Sequence, residues 1–96
     1  MEEEIEIVRG SENVFRDLGE RNADTLFLKA ELASQILSAL NKKKLKGKKA
    51  AETLKITEAD ISRIRNADLK TFTLDRLVEV VNRLSLKVEL TVTKAA

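Results

Sequence analysis

The residues best suited to chemistry lie in one stretch, "LKGKKAAETLKITEADISRIRNA", residues 45–67. It opens on Lys46, Lys48 and Lys49 and closes on Ser62, Arg63, Arg65 and Asn66. An ammonium group attracts a polyanion as a point charge. A guanidinium adds a planar fork of donors that matches phosphate geometry. That chemistry is binding. The 96-residue chain contains no histidine and no cysteine, so the usual zinc, copper and haem ligand sets cannot be assembled and thiol or imidazole catalysis is excluded. No carboxylate dyad or Ser–Lys constellation stands out either. The chain is therefore expected not to be an enzyme and to use no cofactor or metal.

Charge is distributed unevenly behind a net value of only +2. Residues 1–26 hold eight acids against three bases, a balance of −5. Residues 42–70 hold ten bases against four acids, a balance of +6. A basic segment attracts polyanions and an acidic one repels them, so the two parts are expected to meet different partners. The absence of proline and the presence of only three glycines argue against a linker or a low-complexity tail. The opening "MEEEIEIVRG" lacks the positive start and apolar run of a signal peptide, and no apolar stretch approaches the ~20 residues that span a bilayer. With no cysteine to favour an oxidising compartment, the expected location is the cytoplasm.

The elements that must position the basic residues follow from periodicity. "EIEIV" alternates Ile5 and Ile7 with acids, the pattern of a short half-exposed strand. "SENVFRDLG" reads as a helical turn with Ser11 as cap and Val14, Phe15 and Leu18 on its apolar side. From Asp24 to about Lys43, Leu26, Ala30, Ala33, Ile36, Leu37 and Leu40 recur at helical spacing. A second helix from about Gly47 to Lys55 turns Ala50, Ala51 and Leu54 inward. A third opens on "TEAD", with Thr57 and Asp60 in a capping-box pattern and Ile61 and Ile64 toward the core. Glu58, Ala59, Ser62, Arg63 and Asn66 must then lie away from that core. A fourth helix, about Thr73 to Leu84, uses Leu74, Leu77, Val78, Val81 and Leu84. "LKVELTVT" alternates Leu86, Val88, Leu90 and Val92 on one face and predicts a C-terminal strand. The boundaries are an acidic arm with a short helix at 1–22 and a domain with a C-terminal strand at 23–96.

Leu45, Ala50, Ala51, Leu54, Ile56, Thr57, Ile61, Ser62 and Ile64 fit the pattern of the phage-repressor/Cro (XRE) superfamily, so this stretch resembles its helix-turn-helix. The flanks "GSENVFRDLG", "LFLKAELASQI" and "FTLDRLVEVVNRLSLKVELTV" resemble the small HigA-like antitoxin branch. The resemblance implies a mainly α fold, a five-helix repressor-like (Cro/C1-type) domain with short N- and C-terminal β-strands. It also implies a homodimer that represses its own operon, a double-stranded DNA operator, and a RelE/HigB-like ribonuclease toxin as partner. In such a motif the first helix crosses the phosphate backbone and the second enters the major groove N-terminus first. The DNA-contacting residues are then Lys46, Gly47, Lys48, Lys49, Thr57, Glu58, Ala59, Ser62, Arg63 and Asn66. The lysines would clamp phosphates, Arg63 would reach a guanine edge or a phosphate, and Ser62 would serve a phosphate or the packing.

Four departures from the family pattern fall on the reading half of the motif. Gly47 stands where the family carries glutamine, Lys55 where it carries the turn glycine, Glu58 and Ala59 where it carries Gln-Pro, and Ala67 where it carries a closing glycine. Lys55 requires a left-handed backbone or a different turn. The acids at 58 and 60 count toward an alternative, a protein-binding toxin inhibitor whose reading helix has degenerated; a stand-alone phage-type regulator is another. Ile5, Ile7 and Phe15 are the expected apolar anchor for a toxin. Leu86, Val88, Leu90 and Val92 are the expected dimerisation segment, because a lone strand with an apolar face is a liability unless covered.

Overall fold

In the computed structural model, residues 23–94 are described. The expected strand at 4–8 and the helical turn around Ser11–Gly19, and with them Ile5, Ile7 and Phe15, lie outside the described residues. Four helices follow in order: α1 (Ala23–Lys43), α2 (Gly47–Leu54), α3 (Glu58–Arg65) and α4 (Leu74–Asn82). None is long and apolar enough to cross a membrane.

Each helix forms where local signals and burial agree. In α1 the buried residues Leu32, Ala33, Ile36, Ala39 and Leu40 recur at three- and four-residue spacing, and Lys42 and Lys43 complement the negative end of its macrodipole. Asp24 lies in its first described turn, where an acid complements the positive end of the macrodipole. Helix α4 is capped by Thr73, whose hydroxyl accepts from the Arg76 N–H at 3.1 Å. It buries Leu77, Val80 and Val81 along α1, the most extensive helix pairing of the fold. Ala50 and Ala51 in α2 are both buried, and their small side chains let α2 settle onto α3 around Leu54. The loop between α3 and α4 closes the core with Leu69 and Phe72. It is tied to α1 by Lys29 Nζ, which donates to Leu69 O at 3.4 Å.

Every helix is followed by a non-glycine residue in the left-handed region: Lys44, Lys55, Ala67 and Ser85, with φ between 56° and 63°. After α1, α2 and α3 the next N–H reaches back five residues: Leu45 N–H to Leu40 O, Ile56 N–H to Ala51 O and Asp68 N–H to Arg63 O. These bonds satisfy carbonyls that a helix C-terminus otherwise leaves without partners. Lys55 and Ala67, at two positions where the resembled pattern has glycine, are both left-handed. Their side chains cost about 1–2 kcal/mol each in that region. Lys55→Gly relieves this strain but loosens the unfolded chain by about 0.4–1 kcal/mol. It is expected to raise stability by about 0.5–1 kcal/mol in urea denaturation; an unchanged or lowered midpoint would argue against the left-handed turn.

The C-terminal segment corrects the sequence-based expectation of a strand there. Among the described residues there is no strand, and residues 86–94 carry no regular secondary structure. Leu86 and Val88 pack half-buried against the core, whereas Leu90 is 61% and Val92 83% exposed. Alternation makes a segment fit to be a strand, but pairing needs a second edge, and the described helical domain offers none.

Candidate nucleic-acid interface

Helix α2 starts without help from its own side chains. Its N-cap, Lys46, has an extended backbone and makes no side-chain cap hydrogen bond, and no acid lies in the first turn. Lys46, Lys48 and Lys49 are all exposed there, beside exposed Gly47 at φ +49°. Three cations at the positive end of a helix dipole oppose the helix, and the first-turn N–H groups have no intrahelical acceptor. An anion placed at this end would relieve both penalties.

Helix α3 is built in the opposite way. Thr57 Oγ1 accepts from the Asp60 N–H at 2.9 Å and the Asp60 carboxylate accepts from the Thr57 N–H at 3.4 Å, completing the expected capping box. Ile61 and Ile64 are buried, so Glu58, Ala59, Ser62, Arg63, Arg65 and Asn66 all face solvent. The turn Lys55–Thr57 holds the two helices together through the left-handed Lys55 and buried Ile56. Arg83 Nη1 fixes the end of α2 from α4 by donating to Leu54 O at 3.2 Å.

Asp60 has a role that charge counting missed. It is buried, its Oδ1 accepting from Arg63 Nη1 and its Oδ2 from Arg76 Nη2, each at 2.9 Å. Arg76 in turn stacks over the Phe72 ring, 5.1 Å from its centroid. The carboxylate is therefore an internal tie between α3 and α4, not an acid offered to a partner. It also holds one arm of Arg63, whose side chain stays 45% exposed. Arg76 is sixteen positions away along the chain, so no local motif could reveal this tie.

Burial would raise the Asp60 pKa, but the hydrogen bond from the Thr57 backbone and the adjacent Arg76 charge outweigh it and hold the carboxyl below its ordinary value of 3.8. The folded protein thus favours the ionised form more than the unfolded chain does. The stability this supplies is fully present above the ordinary value and is lost as pH falls through the depressed one. The difference in unfolding free energy between parent and Asp60→Asn should be constant from pH 7 to about 5 and shrink below it. A gap that persists undiminished to pH 2 would mean that ionisation of Asp60 contributes nothing.

A sequence model of a helix-turn-helix domain family matches residues 14–93, which includes all four helices. The chain belongs to that helix-turn-helix family. No curated protein and no solved structure matches it significantly. In this DNA-binding helix-turn-helix, α2 and α3 are the motif's two helices and Lys55–Thr57 its turn. The ten residues expected at the DNA, Lys46, Gly47, Lys48, Lys49, Thr57, Glu58, Ala59, Ser62, Arg63 and Asn66, are all solvent-exposed, on these two helices or as their caps. Of them, the Thr57 hydroxyl is engaged by its cap and Arg63 by Asp60. Glu58 stands in the first turn of α3, where a carboxylate complements the helix dipole.

Proposed function

We propose that this chain is a sequence-specific transcriptional repressor of the XRE type that binds its own operator as a homodimer and acts as the antitoxin of a type II toxin–antitoxin pair in the cytoplasm. The observation that carries the DNA half of this reading is the pairing of an uncapped, lysine-ringed α2 N-terminus with an α3 whose outer face is wholly exposed. Lysines 46, 48 and 49 neutralise phosphates and fix the docking register, while Arg63 presents its remaining N–H donors to a base edge. Internal pairing of Asp60 removes one of the two acids that counted against DNA, and Glu58 can accept from cytosine N4.

The antitoxin role rests on the sequence resemblance of the flanks and on charge. RelE/HigB-like ribonucleases need a basic cleft for RNA, which the acidic residues 1–26 complement, with Ile5, Ile7 and Phe15 as apolar anchors. A protein-binding inhibitor without DNA affinity is the second reading, favoured by Glu58 at the leading end of α3. A gel shift comparing DNA from upstream of the gene with random duplex separates the two. Preference for the upstream DNA supports the repressor, whereas equal or absent binding supports the inhibitor. The antitoxin assignment is tested by co-purification with the product of the adjoining reading frame; failure to bind and neutralise that product would leave a stand-alone regulator.

A further inference from the structure

Asp60 is buried although it stands on the helix that carries the expected base-reading side chains. Its two oxygens have different partners. Oδ2 accepts from Arg76 Nη2 at 2.9 Å and from the Thr57 N–H at 3.4 Å. Oδ1 accepts from Arg63 Nη1 at 2.9 Å. Arg76 belongs to α4, outside the motif, and its guanidinium is seated over the Phe72 ring. Resting on the repressor reading above, we infer that Asp60 and Arg76 are positioning residues for base recognition: together they hold Arg63 so that its Nε–Nη2 edge is presented to a guanine in the major groove.

A guanidinium has two edges on which N–H bonds run parallel, Nη1–Nη2 and Nε–Nη2, and guanine O6 and N7 accept such a pair. Because Asp60 takes Nη1, the Nε–Nη2 edge is the one left intact. Helical side chains lean toward the N-terminus, and a partner three residues back holds Arg63 in that direction. The N-terminus is the end of a recognition helix that enters the groove. An exposed arginine samples many rotamers, and a base contact must order it; the carboxylate does part of that ordering before DNA arrives. The second arginine serves in two ways. Asp60 with Arg63 alone is a neutral pair, whereas two cations and one anion leave the cluster at +1, so it still attracts phosphate. Arg76 also fixes the carboxylate from a separate helix, through a shorter bond than the Thr57 N–H supplies.

The test compares full-length parent and variants for binding to duplex from upstream of the gene and to random duplex, across a salt series. Arg76→Gln should lower the upstream-to-random ratio roughly three- to tenfold, the effect of loosening one side chain that binding must order, with the salt slope unchanged. Asp60→Asn should lower the ratio likewise while binding random duplex at least as tightly, because it removes a negative charge. In an Arg63→Ala background neither change should lower the ratio further, since both act through Arg63. A parent-like ratio in either Arg76→Gln or Asp60→Asn overturns the positioning role, and the repressor reading stands as long as the parent prefers the upstream duplex. A salt slope shallower by about 0.9 in Arg76→Gln makes Arg76 a phosphate contact and overturns it as well. So does a loss that persists in the Arg63→Ala background, which would assign the effect to the packing of α3 on α4. A parent without upstream preference overturns both this inference and the repressor reading.

Discussion

Phe72→Ala is expected to lower the unfolding free energy by about 3–5 kcal/mol, the range for emptying a buried aromatic site. The ring is 1% exposed, lies with Leu69 in the loop that joins α3 to α4, and carries the Arg76 guanidinium on its face. Removing it leaves a cavity and also frees the arginine that holds Asp60, so the capping box of α3 loses its outer support. A domain of this size is stable by about 5–15 kcal/mol, so the variant should unfold at far lower urea and its DNA binding should fail on mild warming. Phe72→Leu, which keeps much of the volume, should cost under about 1.5–2 kcal/mol. Should both variants unfold like the parent, the ring is not part of the core and the coupling of α3 to α4 runs through other groups.

Substitutions on the two motif helices should separate affinity from specificity. Each phosphate contact contributes about −0.9 to the slope of log affinity against log salt, so Lys48→Ala/Lys49→Ala should flatten that slope by about 1.8 with sequence preference unchanged. Arg63→Ala should instead relax preference by about 1–3 kcal/mol at one base pair if its free N–H donors read a guanine. Asp60 bears on the same residue, because it holds Arg63 by one N–H at 2.9 Å and so restricts where the remaining donors can point. Operator-to-random ratios measured at several salt concentrations check all of this. If both variants bind operator and random DNA like the parent, the basic helix-turn-helix does not contact DNA and the inhibitor reading stands.

What the sequence determined by itself is what local forces determine. Apolar spacing and caps marked all four described helices to within a residue or two, because helix formation and capping involve neighbours three and four positions apart. Ile61 and Ile64 fixed which face of α3 is inward, and hence that Glu58, Ala59, Ser62, Arg63 and Asn66 are outward. The family resemblance left Lys55 with either a left-handed backbone or a different turn, and its φ of 59° is the left-handed one. Tertiary structure decided what depends on distant partners. Asp60 looked like a charge against DNA until Arg76 was brought beside it. Leu69 and Phe72 belong to no periodic run and became core only through the closing of α4 onto α1. The C-terminal alternation was legible, but a strand is defined by its neighbour. The described residues form no ladder with "LKVELTVT", which has no regular secondary structure, with Leu86 and Val88 on the core and Leu90 and Val92 exposed.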